Sequence, residues 1–292
     1  MDLRDTNYSG LAKSRQISKM SALRFIDEII DSSMKWEKSI KRIGMDGKGV
    51  GNRKQVFNIT NLVDREVIGV LPNLSQKELK QELLKVDLKF RKAVKEVCID
   101  MDSFFPAIIK ECFPNAKIVI DHFHVIQWGV HLLKEVKNVF QEVNNEKYRI
   151  NQYLMIPSHK LKDTEYQKLK KVFDKVPELK SSWKIIHQLR KVYWKDNRED
   201  AEKQLKHVIK LCEELESKYM KDLSNTLNRW YDKILNYYIS KSTNAYTEGI
   251  HNHFERIKRN HFGIRNIERF CKRLLFCTMP MAIFLNLIAQ RC

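Results

Sequence analysis

A change of hydrophobic period divides this sequence and limits the folds open to it. Between Ile40 and Leu71 apolar residues come in three short runs, Arg42 to Met45, Gln55 to Thr60 and Glu66 to Leu71, separated by the glycine-rich stretch 47–52 and by Asp64-Arg65. Short runs broken by turn residues predict an antiparallel meander. From Ser75 the period becomes helical, with Leu79, Leu83, Leu84 and Leu88 on one face. Ser75 is a suitable N-cap and Glu78 completes a capping box, so a single helix is predicted to about Phe90. Val94 to Ile99 reads as a buried strand ending at Asp100-Met101-Asp102, a helix follows from Phe104 to Cys112, and Ala116 to Ile120 form a strand ending at Asp121. Residues 124–238 then carry only long helical patterns. A helix after Ser242-Thr243-Asn244 leads through His261-Phe262-Gly263 into a last one from Ile267 to Ile288. The expected class is α/β: a mixed sheet with flanking helices and a large all-helical insertion.

These patterns divide the chain into a helical lead-in over 1–39, the first part of a core over 40–125, a helical insertion over 126–240 and C-terminal helices over 241–292 that complete the core. Within the lead-in, Leu11 to Ile26 suits a worn helix-turn-helix and equally an amphipathic helix. Lys and Arg exceed Asp and Glu by enough to give a formal charge of +18, which favours a polyanionic partner. No apolar stretch is long enough to span a bilayer, so nucleic acid is the expected partner rather than a membrane. The six cysteines form no CxxC pair, and the N-terminal residues lack the pattern of an export signal. Buried reduced thiols and a cytoplasmic location follow as expectations.

Carboxylates that end buried strands are costly unless a cation, a hydrogen-bond network or exposure compensates. Asp46, Asp100 and Asp121 all occupy such positions in the predicted pattern, and Asp102 rivals Asp100 if its strand continues. Glu248 adds a carboxylate near a helix start. On that helix Glu248, Asn252, Glu255 and Arg259 share one face, and Tyr246, Ile250, Phe254 and Ile257 the other. Gly249 costs about 1 kcal/mol relative to Ala and suits a close approach of backbone or substrate. His122 and His124 would share a face on a strand, which offers a metal pair as an alternative reading. Arg256, Lys258, Arg259, Arg265, Arg269, Lys272 and Arg273 cluster after the glutamate and suggest a track for DNA phosphates.

Three blocks resemble a family. Ile43-Gly44-Met45-Asp46 opens the meander. Val97-Cys98-Ile99-Asp100-Met101 is followed by Phe113 to Ile126, which contains Asp121-His122-Phe123-His124. Thr243 to Asn252 continues into Ile257-Lys258-Arg259, Phe262 to Asn266 and Phe270. In this order they resemble the transposases of bacterial insertion sequences of the ISL3 group, which have a ribonuclease-H-like DDE domain. The resemblance implies that Asp46, Asp100 and Glu248 are the catalytic, metal-binding carboxylates. It makes Asp121 and His124 supporting residues, with His122 where the family usually has Arg; Asp102 and Asn252 are read as supporting too. It further implies two Mg²⁺ ions, replaceable by Mn²⁺, about 3.5–4 Å apart. Cleavage at element ends, joining to target DNA, assembly as a dimer on DNA and association with the nucleoid complete the expectation. Members usually carry an N-terminal zinc finger, whereas here roughly 40 residues without cysteines precede the first strand, so the expectation is an N-terminally shortened copy or part of a protein whose DNA-end recognition lies elsewhere. Two other classes compete: a non-catalytic regulatory relic that still binds DNA, and an assembly module whose charge is incidental.

Overall fold

The computed structural model describes residues 9, 12, 13, 16–33, 39–51, 54–72, 74–260 and 266–278. It divides into two compact units, one formed by Met1–Ile118 with Ser242–Cys292 and the other by Val119–Lys241.

The first unit opens with helix α1 (Lys19–Ser33), followed by the meander β1 (Arg42–Gly51), β2 (Lys54–Asn61) and β3 (Glu66–Leu71). β1 is longer than the sequence pattern suggests. It runs on through Gly47 and Gly49, which pair with Phe57 and Gln55 of β2, and the register shifts between Gly49 and Gly51. Asp46 therefore lies inside a strand, opposite Asn58, and not at a strand end. Pairing with β2 holds the glycines that looked like a turn in the extended strand.

Ser75 caps α2 (Gln76–Leu84) and the reciprocal Glu78 contact is present, as the sequence indicates. The predicted single helix nevertheless ends here. Asp87 accepts from Lys89 N and starts a short second helix, α3 (Leu88–Ala93). The break turns Leu84 and Leu88 to solvent, while Leu79 and Leu83 stay buried. Strand β4 (Glu96–Ile99), helix α4 (Phe105–Cys112) and strand β5 (Lys117–Ile120) follow as expected. The sheet order is β3-β2-β1-β4-β5, with β1 antiparallel to β2 and parallel to β4.

Helices cover both faces of this sheet. On one, Phe57 stacks on Phe104 at 5.2 Å and meets Phe105 edge-on. On the other, Val56, Val67 and Val70 form a core with residues of α1, of α12 (Ala245–Asn260) and of α13 (Ile267–Thr278), including Ala22, Phe254, Phe270 and Phe276. A mixed sheet flanked by helices in this order is an α/β, ribonuclease-H-like fold.

The second unit is helical: α5 (His122–Val143), α6 (Asn151–Leu154), α7 (Asp163–Lys175), α8 (Pro177–Val192), α9 (Arg198–Glu214), α10 (Lys218–Arg229) and α11 (Tyr231–Leu235). It buries Leu133, Leu189, Leu205 and Leu227 completely, together with most of Trp183 and Trp230. The five described cysteines are buried. Among the described residues, no helix is long and apolar enough to cross a membrane.

Candidate metal centre

Strand register brings two of the carboxylates level. β1 and β4 run parallel with Gly44 beside Cys98; Asp46 stands two residues further along β1, and Asp100 two residues beyond Cys98. Asp100 lies just past the last residue of β4, where the chain leaves the sheet. Glu248 comes from the first turn of α12 and is half-buried. Asp100 and Glu248 each offer a carboxylate oxygen within 4.8 Å of the other. Hard divalent cations are bound by carboxylate oxygens brought together in this way. The donor set thus fits a divalent ion.

Glu248 reaches this position because α12 packs closely on β1 and β2. The face it lays down is polar at the start and apolar further on: Asn244, Thr247, His251, Phe254 and Ile257 are all buried. Sequence reasoning found Phe254 and Ile257 but missed Thr247 and His251, since a periodicity of apolar residues does not register polar groups. Thr247 and Thr60 hydroxyls share a 2.7 Å hydrogen bond, and Asn58 Nδ2 donates to the carbonyl of Thr247 at 3.4 Å. Gly44 makes the approach possible. A Cβ there would lie 2.5 Å from Asn244 Oδ1 and 2.8 Å from Thr60 Oγ1, and closer still to Thr247 Oγ1. Gly249, the position that seemed to need a close approach, is exposed with open space around it.

Asp46 has its own partners. One carboxylate oxygen accepts from Gly47 N at 2.7 Å, and the other lies 3.4 Å from His251 Nδ1. His251 Nε2 meets Asn58 Oδ1 at 3.2 Å. Burial pushes the imidazole down to about 4, Lys48 adds to the effect, and Asp100 and Glu255 oppose it. His251 is therefore neutral at pH 7. The signal available was its spacing of four from Thr247, which puts both on one helix face.

The other predicted residues have local roles of their own. Asp102 is exposed and its Oδ1 accepts from Phe104 N at 2.8 Å, which closes a turn because β4 has already ended. Asp121 is buried as the N-cap of α5, accepting from Phe123 N at 3.0 Å. His122 and His124 lie in the first turn of α5 and not on a strand, so their spacing of two does not give them a common face. Asn252 is exposed on α12.

Of the basic residues, Arg256, Arg259 and Arg269 are exposed. Lys258 pairs with Glu255 and Lys272 with Asp27, both at 3.6 Å. Arg265 falls outside the described residues. Arg273 is 1% exposed and its guanidinium sits 5.1 Å from the Phe276 ring centre, so it belongs to the core and not to a surface track. An arginine at helical spacing within Phe270 to Cys277 packs with its apolar neighbours.

Fold and carboxylate placement define a ribonuclease-H-like protein with a candidate acidic metal centre. A transposase family model, that of the DDE transposases of the ISL3 group, matches residues 43–274, and the chain belongs to this family. No curated protein matches the chain.

Proposed function

We propose that this chain is the catalytic core of a DDE transposase that cleaves DNA at insertion-sequence ends and joins the freed ends to target DNA. The observation that carries the reading is the meeting of Asp100 and Glu248, contributed by a strand end and a distant helix, within 4.8 Å beside the strand that bears Asp46. In this reading Asp46, Asp100 and Glu248 hold Mg²⁺ or Mn²⁺, two ions in all. Bound there, such ions activate an attacking oxygen and stabilise the leaving one during displacement at phosphorus. The chain's own part is positional. Gly44, Thr60 and Asn58 seat α12 so that Glu248 faces the end of β4, and exposed Arg256, Arg259 and Arg269 offer charge to phosphates. A dimer on paired DNA ends belongs to the same proposal.

The test is divalent-ion-dependent nicking and joining of labelled DNA carrying candidate element ends, with Asp46→Ala, Asp100→Ala and Glu248→Ala as comparisons. Loss of both activities in each folded variant supports the reading. Salt-sensitive DNA binding without any cleavage by the unmutated chain would favour a non-catalytic regulator.

A further inference from the structure

The end of α8 carries an aromatic side chain that the fold leaves outside. Val192 closes the helix in the core and Tyr193 meets Tyr237 edge-on at 5.3 Å, whereas the next residue, Trp194, is 55% exposed. Trp183 and Trp230 of the same unit are buried. A single open apolar residue needs no explanation, but Trp194 has particular neighbours. His159, from the single turn Ser158–Lys160, meets the indole edge-on at 5.4 Å. Arg190, one turn back on α8, donates from Nη2 to the Met155 carbonyl at 2.8 Å and so ties the helix end to the segment before that turn. Lys191, whose carbonyl accepts from Trp194 N at 3.2 Å, is exposed, and so is Lys160. Arg190, His159 and Lys191 all act electrostatically on the buried His187 ring, which gathers them round one point of the surface. Among the described residues, none of Lys160, Arg190 and Lys191 forms an ion pair with a carboxylate. The carboxylate nearest in sequence, Asp196, acts instead on the Tyr238 hydroxyl.

Cations without acid partners beside an open ring complement a nucleic-acid strand, whose phosphates meet the charges while a base lies on the ring. In a duplex both faces of a base are covered by its neighbours, so an indole standing out from a surface stacks only on a base that has left the helix. We propose that Trp194, with Lys160, Arg190 and Lys191 around it, binds an unpaired nucleotide of a DNA strand. The assignment rests on the DNA-directed reading above and names the form of DNA that this part of the helical unit takes. The indole supplies affinity that tolerates any base, and the three cations supply the part that salt screens.

Binding of the full chain to labelled oligothymidylate and to a blunt hairpin duplex is measured by fluorescence anisotropy in chelator, so that cleavage plays no part. Trp194→Ala and Trp194→Phe are compared with the unmutated chain, and circular dichroism checks their fold. The expected result is a loss of about 5- to 150-fold on oligothymidylate for Trp194→Ala, with most of the affinity kept by Trp194→Phe and duplex binding unchanged in both. Lys191→Ala should lower the slope of log affinity against log salt on the single strand by about 0.7. Oligothymidylate affinity that is unchanged in Trp194→Ala, or that falls equally on the duplex, overturns the assignment of Trp194 alone. Failure of the unmutated chain to bind either DNA overturns the DNA-directed reading as well.

Discussion

Thr60 and Thr247, one on the second strand of the sheet and the other on the helix that bears Glu248, join their hydroxyls at 2.7 Å with neither exposed to solvent. A buried hydroxyl pair of this kind specifies position more sharply than apolar packing does, because each partner left alone is costly. Glu248 is the next residue after Thr247, so this bond helps to determine where its carboxylate sits.

Thr60→Val removes one partner and leaves the Thr247 hydroxyl buried without that bond. A loss of about 1–3 kcal/mol is expected, read from urea unfolding. Adding Thr247→Val restores part of the stability, since two apolar groups of matched shape tolerate each other. A double-mutant cycle with no coupling between the two positions would contradict the arrangement.

Gly44→Ala tests the close approach more severely. The added Cβ meets three side-chain oxygens, two of them at 2.5 and 2.8 Å. The helix must move off the sheet, at a cost of about 1–3 kcal/mol, and divalent-ion affinity should weaken with it. Gly249→Ala, at an exposed helical site with open space, should instead stabilise by about 1 kcal/mol. Thermal unfolding of the pair, with and without Mn²⁺, distinguishes the roles of the two glycines.

Much of this arrangement can be read in the sequence. The capping box at Ser75 and the strands ending near Asp100 and Asp121 depend on local residues, and they form as expected. The course of β1 does not, because Gly47 to Gly51 suit a turn in isolation and are held extended only by pairing with β2. The charge of Arg273 suggests a surface position in the sequence, whereas the Phe276 face stabilises it inside. His251 acquires significance only through Asn58 and Asp46, both distant in the chain. Polar groups that pair across elements leave no periodic trace.

Asp100 and Glu248 should destabilise each other when no cation is present. Asp100→Asn is expected to raise the melting temperature of the metal-free chain by the equivalent of about 1 kcal/mol, after allowing for screening. The rise in melting temperature that Mn²⁺ gives the unmutated chain should shrink in the same variant. Scanning calorimetry in chelator and in excess Mn²⁺ measures both, and an unchanged metal effect would exclude Asp100 as a ligand.

His187 makes the helical unit sensitive to acid. It is buried against the Trp183 ring at 4.0 Å, and burial, aided by Arg190, pushes its imidazole from 6.5 down to about 4. The unfolded chain takes up the proton near pH 6.5 and the folded chain only near pH 4. The contribution is therefore fully present above pH 6.5 and is lost as pH falls toward 4, by an amount on the order of a few kcal/mol. His187→Gln should flatten the dependence of unfolding free energy on pH across this window, and a slope equal to that of the unmutated chain would refute the assignment.

DNA binding should distinguish surface arginines from the buried one. Arg256, Arg259 and Arg269 are exposed, so alanine at each should leave stability within about 0.5 kcal/mol. If each neutralises a phosphate, each replacement lowers the slope of log affinity against log salt by about 0.9 on duplex DNA. Arg273→Ala should behave oppositely: it removes a buried side chain packed on Phe276 and costs about 2–4 kcal/mol of stability, while the salt slope of the protein that remains folded is unchanged. Fluorescence anisotropy over a salt series, paired with urea unfolding, tests both. A reduced slope in Arg273→Ala would mean that this side chain leaves the core to meet DNA.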